Sequence, residues 1–194
     1  MKQTIRALAV SALLTLPGAV FADHHMGPKD INSLVDKAVS LNAEGPFAGS
    51  FDTLIALLTA PDGNRASILA ELDDRGQNTV FAPTDEAFEA LTETVLTLGY
   101  CSLADLDPAV VDSVLLYHVA HGRLYAADVL ATERVRMLSG GFLLQDAAVL
   151  TDNLNRTANL IPGALDIEAD NGVIHAIDTV VLPVLPDPGP GSCL

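Results

Sequence analysis

Thr79-Val80-Phe81-Ala82-Pro83-Thr84-Asp85-Glu86-Ala87-Phe88 decides how this chain is divided. Its first half is a short apolar run behind the polar turn Gly76-Gln77-Asn78. Pro83 has no N–H to give to a ladder, so the spacing predicts a strand over 79–82 that ends there. Thr84 then stands where a helix N-cap belongs, and Asp85 and Glu86 fall in a first turn whose dipole favours negative charge. A strand and a helix therefore meet at this proline, and the patterns on its two sides differ.

Upstream, Ile31, Leu34, Val35, Ala38 and Val39 recur at helical spacing and predict a helix over 30–41 with Asp30 at its start. Phe51, Leu54, Ile55 and Leu58 repeat the pattern, and Ile68, Leu69 and Leu72 continue it after the turn Pro61-Asp62-Gly63-Asn64. Downstream, Pro108 opens a further helix with Asp107 as its cap, and Val110, Val111, Val114 and Leu115 share one side with His118. Beyond Arg123 the texture becomes β-like, with runs over 134–138, 142–144, 148–150, 165–169 and 173–182 between Gly- and Asn-containing turns. Asn171-Gly172 reads as a hairpin turn that uses positive φ. Helices first and strands later predict one α+β domain, without internal repeat or dividing linker.

The ends are of another kind. Lys2 and Arg6 precede ten mostly apolar residues, Pro17-Gly18 break them, and Val20-Phe21-Ala22 supplies small residues for cleavage, so 1–22 reads as a secretory signal peptide. The apolar stretch is shorter than the about 20 residues a membrane span needs. Residues 23–29 read as a flexible leader, 30–184 as the domain and 185–194 as a Pro/Gly-rich tail. Export places the chain in the periplasm or outside the cell. The signal removes two basic and no acidic side chains, which leaves 172 residues at a formal charge of −17. That charge excludes nucleic acid and anionic lipid as main partners, because both would be repelled. Apolar residues make up 49% of the 194, with no Trp, 3 Tyr and 6 Phe, so the core is aliphatic. Only Cys101 and Cys193 are present, and an oxidising compartment favours a bridge between them over two unrelated thiols.

The stretch at 79–88 resembles the first signature of the fasciclin-type domain. Asn171-Gly172-Val173-Ile174-His175-Ala176-Ile177-Asp178-Thr179-Val180-Val181-Leu182-Pro183 resembles the second, and Leu115-Leu116-Tyr117-His118-Val119 is similar to the family's Tyr-His motif. Ala120-His121-Gly122 follows where the family often has Pro-Gly, and 145–166 matches only loosely. The resemblance implies a single fasciclin-type domain, a wedge-like β-sandwich with helices packed around it. It also implies adhesion to protein, matrix or polysaccharide, apolar pigments as ligands of a few relatives, and no general catalytic activity.

The side chains support this without adding chemistry. No nucleophile elbow, phosphate loop, zinc helix or dinucleotide glycine pattern is present, and pairings of His118 with Asp112 or Asp128, or of His175 with Asp178, rest on no motif spacing. The motif residues Phe81, Pro83, Thr84, Tyr117, His118, Asn171, Gly172 and His175 read as mainly structural, with His118 buried and hydrogen-bonded to backbone. Asp166, Glu168 and Asp170 space acids two apart, as a calcium loop does, but the interleaved Ile167 and Ala169 fit a strand with one wet face. Asn155-Arg156-Thr157 is a glycosylation sequon. If cleavage follows Ala22, the new amine, two amides and the imidazole of Asp23-His24-His25 can surround Cu(II) in a square plane. The alternative is an unstructured polar leader, and a cut after Ala19 removes the arrangement. The reading is an exported adhesion or surface-interaction module that takes no resident cofactor. A carrier of an apolar small molecule, in a groove near 145–166, or of copper is the alternative.

Overall fold

The computed structural model describes residues 32–74, 76–97, 102–103 and 106–184. The signal segment, the leader with Asp23, His24 and His25, both Cys101 and Cys193, and the 185–194 tail lie outside the described residues.

Helices α1 (Leu34–Ala43), α2 (Asp52–Thr59) and α3 (Arg65–Asp73) lead into β1 (Asn78–Pro83), α4 (Asp85–Thr97) and α5 (Pro108–Tyr117). After these come β2 (Val119–His121), α6 (Ala126–Ala131), β3 (Arg134–Arg136), β4 (Phe142–Asp146), β5 (Val149–Thr151), β6 (Thr157–Asn159), β7 (Ile167–Ala169) and β8 (Gly172–Ile177). The α+β order is the predicted one, with local differences. The cap of α1 is Ser33, not Asp30. Its hydroxyl accepts the Asp36 N–H while the Asp36 carboxylate accepts the Ser33 N–H, a reciprocal pair that fixes the start one turn later. Asp107 caps α5 as expected, accepting the Ala109 N–H at 2.8 Å.

Four strands form a mixed sheet in the order β2-β1-β8-β7, with β1 and β8 parallel; four more form the antiparallel meander β3-β4-β5-β6. Isolated bridges Ala120↔Met137 and Leu160↔Ile177 tie the two sheets at their corners. Alternation along the central pair separates two cores. Ala82, Ile174 and Ala176 face the helices together with Leu54, Phe88 and Leu115, whereas Phe81 and Ile177 face the second sheet and meet Leu143, Leu150 and Val135. Every residue of β8 is buried, which is why its sequence reads as a continuous apolar run. That strand ends at Ile177 rather than near 182. The Asp178 carboxylate turns back to accept the Asn159 N–H and amide side chain, and 178–184 continues as a strap across the molecule.

Candidate functional site

The family-like motifs converge on the β1–β8 pair and on the strap that follows it. Tyr117 and His118 end α5 and point into different cores. The Tyr117 hydroxyl donates to the Phe142 carbonyl at 2.6 Å and accepts the Asn153 N–H at 3.2 Å, while Gly141 leaves no room for a side chain against the ring. Burial pushes the phenol up to about 12, so it is a neutral donor at any ordinary pH. His118 is 4% exposed. Its Nδ1–H donates to the Val114 carbonyl at 2.7 Å, and Nε2 accepts the Val181 N–H at 3.2 Å, an arrangement that requires the neutral ring. Burial pulls His118 down to about 4, helped by Arg156 and opposed by the Val114 carbonyl and Asp152.

The strap is held by more than His118. Asp152, wholly buried at its carboxylate, accepts the Leu182 N–H at 3.0 Å and pairs with Arg156 at 3.0 Å; Arg156 in turn donates to the Val180 carbonyl. The Asn153 amide side chain donates to the Pro183 carbonyl at 3.3 Å. Sequence reasoning passed over Asp152, Asn153 and Arg156 because an acid and an Asn in a polar stretch look the same whether the turn is wet or packed.

Asn171 and Gly172 act at the opposite end of β8. Ala169 pairs with Gly172 across a two-residue connection, Asp170-Asn171, so the loop sits one position earlier than predicted, and neither Asn171 nor Gly172 has positive φ. The demand on Gly172 is contact: a Cβ there would lie 2.1 Å from the Asn78 carbonyl and 2.8 Å from Leu34. Asn171 is buried, accepting the Leu34 N–H at 2.7 Å and donating to the carbonyls of Leu72 at 2.8 Å and Asp74 at 2.6 Å. It thereby supplements the cap of α1 and closes the end of α3. His175 lies opposite Phe81 in the parallel register, ring centroids 5.7 Å apart. Its Nε2–H donates to the Leu124 carbonyl and its Nδ1 accepts the Asp166 N–H, and burial lowers its pKa against the Leu124 carbonyl and Asp166.

At the β1–α4 junction, Pro83 is the last residue of β1, and Thr84 holds the cap position through its carbonyl, which accepts the Phe88 N–H. Its hydroxyl makes no bond to a first-turn amide among the described residues. Asp85 and Glu86 stand in the first turn of α4 as expected, and the Asp85 carboxylate also serves a neighbour, accepting the Thr53 and Asp52 N–H groups at 2.8 and 3.1 Å and so capping α2.

The carboxylates weighed as partners for histidine are engaged elsewhere. Asp112 accepts the Asn64 N–H at 2.6 Å and lies 3.0 Å from buried Arg65, as an ion contact without hydrogen-bond alignment. Asp128 accepts the Tyr125 N–H, and Asp178 binds Asn159. The three acids are all exposed, with Glu168 on β7 and Asp166 and Asp170 in the turns that flank it, a shorter strand than expected: Asp166 accepts the Ala126 N–H, Glu168 the Tyr125 hydroxyl and Asp170 the Asn32 N–H. Among the described residues no grouping of three or more His, Cys, Asp or Glu could hold a metal ion, and no helix is long and apolar enough to cross a membrane.

Two apolar clefts open on the helix side of the first sheet. One, of about 30 Å3, lies between α2, α4 and α5 against Val180 and Leu182; the other, of about 50 Å3, lies under α1, α2 and α3. The stretch 145–166, where a groove is expected if an apolar ligand is carried, builds the end of β4, then β5 and β6, and lines neither of these two clefts. Both clefts are far below the roughly 300–1,000 Å3 of a ligand pocket.

Comparison with known proteins agrees with this architecture. A profile described as Fasciclin domain matches residues 49–183. Protein sll1483 of Synechocystis is 32% identical over 193 residues, covering 94% of this chain and 99% of its own length. A second Synechocystis protein, sll1735, is 36% identical over 132 residues, 68% of this chain and 89% of its own. The structure of a FAS1 domain pair from the insect cell adhesion molecule Fasciclin I superposes with a TM-score of 0.50 at 17% identity, covering 77% of this chain and 50% of that one, a likeness of fold. The matched profile covers most of the chain and the two Synechocystis relatives match along nearly their whole length: the chain belongs to the fasciclin-domain family.

Proposed function

We propose that the chain is an exported binding module that acts without catalysis and engages a protein or polysaccharide at a cell surface or in the extracellular or periplasmic space. The observation that carries this is where the motif side chains are spent. Tyr117, His118, Asn171 and His175 all bind backbone groups of the domain itself, so they build the scaffold and leave partner contact to the surface. The signal-like segment at 1–22 supports export, and the adhesion role of the insect molecule with this fold supports the class of activity. The small size of the apolar clefts supports an interaction module over a pigment carrier.

Native mass spectrometry of the mature protein from its own host, before and after denaturation, tests the reading. The expected result is a bare polypeptide beginning at Asp23, with a macromolecular partner retained on crosslinking. A pigment- or lipid-sized mass released on denaturation overturns it in favour of a carrier. A copper-sized mass that disappears with His25→Ala assigns metal carriage to the leader instead.

A further inference from the structure

We propose that the outward face of the β3-β4-β5-β6 sheet is the docking surface of this module, and that its occupant is an extended protein segment presenting carboxylates beside apolar side chains. This deepens the binding-module reading and rests on it.

Alternation sends Val135, Leu143, Leu150 and Ala158 inward and leaves Arg134, Arg136, Phe142 and Leu144 outward. Leu144 is 52% and Phe142 38% exposed. The register seats Arg136 opposite Phe142 and Arg134 opposite Leu144, and the Arg134 guanidinium stands 5.1 Å from the Phe142 ring centroid. These four side chains form one contiguous patch of cations and exposed apolar surface, with Asp146 at its far end.

Charge accounting favours an acidic occupant. The fold uses its other described arginines internally: Arg65 against Asp62 and Asp112, Arg123 on the Ala169 and Asp170 carbonyls, Arg156 on Asp152 and Val180. Among the described residues, no carboxylate lies within ion-pair distance of Arg134 or Arg136. In a chain of net charge −15, the two guanidinium groups left over stand side by side on one strand. Such a spot attracts carboxylates while the rest of the molecule repels acidic material that does not fit it. Arg, Phe and an aliphatic neighbour are the composition of a protein interface centre, and an aliphatic side chain covers Leu144 more completely than a sugar ring, whose small C–H face is framed by hydroxyls. Residues two apart on a strand are about 7 Å apart, the same interval as alternate carboxylates on an extended segment.

The test titrates the isotope-labelled, full mature chain with a synthetic peptide alternating Glu with Leu and Val, and separately with polygalacturonate. Amide shifts confined to 134–136, 142–146 and 149–151 are expected. Affinity should drop roughly tenfold in the double variant Arg134→Glu/Arg136→Glu, return with lysine at both positions, and weaken with salt. Shifts elsewhere, no shifts, undiminished affinity in the double variant, or tighter binding of polygalacturonate each overturn the proposal. If the double variant does not fold, Arg136→Glu and Leu144→Asp carry the same comparison singly. Photo-crosslinkers at Leu144 and at exposed Glu89 of α4, used in the native host, separate this proposal from the reading beneath it. Capture of an acidic segment at Leu144 that is lost in the double variant supports the face. Capture at Glu89 that persists in the double variant sinks the face and leaves the binding module standing. Capture at neither, with a small molecule in the native mass, sinks both.

Discussion

Replacing Asn171 by alanine removes at once the acceptor of the Leu34 N–H and a donor to the Leu72 and Asp74 carbonyls. With the Leu34 donor left buried, Asn171→Ala is expected to cost roughly 3 kcal/mol, read as a lower urea midpoint at unchanged slope. Gly172→Ala should be at least as damaging, because the new methyl meets backbone rather than a side chain that can move. The sequence marks both residues as special but assigns them the wrong reason, a positive φ, since nothing local reveals that Asn78 and Leu34 crowd that point. His118 was more legible: helical spacing alone put it on the apolar side of α5. Its neutral ring has a measurable consequence. The unfolded chain takes up a proton near the ordinary histidine value of about 6.5 and the folded chain only near 4, so the unfolded state binds more protons between those limits. Stability is therefore full above pH 6.5 and falls as pH drops toward 4, by about 3 kcal/mol for this group. His175 acts in the same direction. Urea unfolding at pH 7 and 4.5, compared between wild type and His118→Gln, checks it: the variant should lose less on acidification.

At the level of elements, the β1–α4 junction shows a local signal put to a distant use. The sequence places Asp85 as a favourable charge in the first turn of its own helix; the structure keeps it there and also lends its carboxylate to the first turn of α2. Asp85→Ala is expected to cost about 1 kcal/mol and to raise amide exchange at Thr53 more than within α4. The elements the sequence missed are β2, α6 and β6, of three, six and three residues. None is long enough to display a period, and each exists because a neighbour completes it. β2 pairs with β1, β6 pairs with β5, and α6 is started by Asp128 and by Asp166 from another segment.

Across the whole molecule, the strap at 178–184 binds the two sheets and α5 into one body. Asp152→Ala removes the acceptor of the Leu182 N–H and leaves Arg156 without its carboxylate, so a loss of about 3–5 kcal/mol is expected, with Leu182 among the amides whose exchange accelerates most. The α+β order, the strand that stops at Pro83, the helix opened by Pro108, the exposure of the three acids and the family were all readable from the chain itself. Each depends on residues close together in sequence, where periodicity, caps and motifs act. Four things were decided only by tertiary contact: the parallel pairing of β1 with β8, the anchoring of the strap by Asp152, Arg156 and His118, the contact that requires Gly172, and the gathering of Arg134, Arg136, Phe142 and Leu144 on one open face. These depend on groups that are far apart along the chain or separated by a turn, and no local pattern encodes which distant partner a backbone amide or a guanidinium will meet.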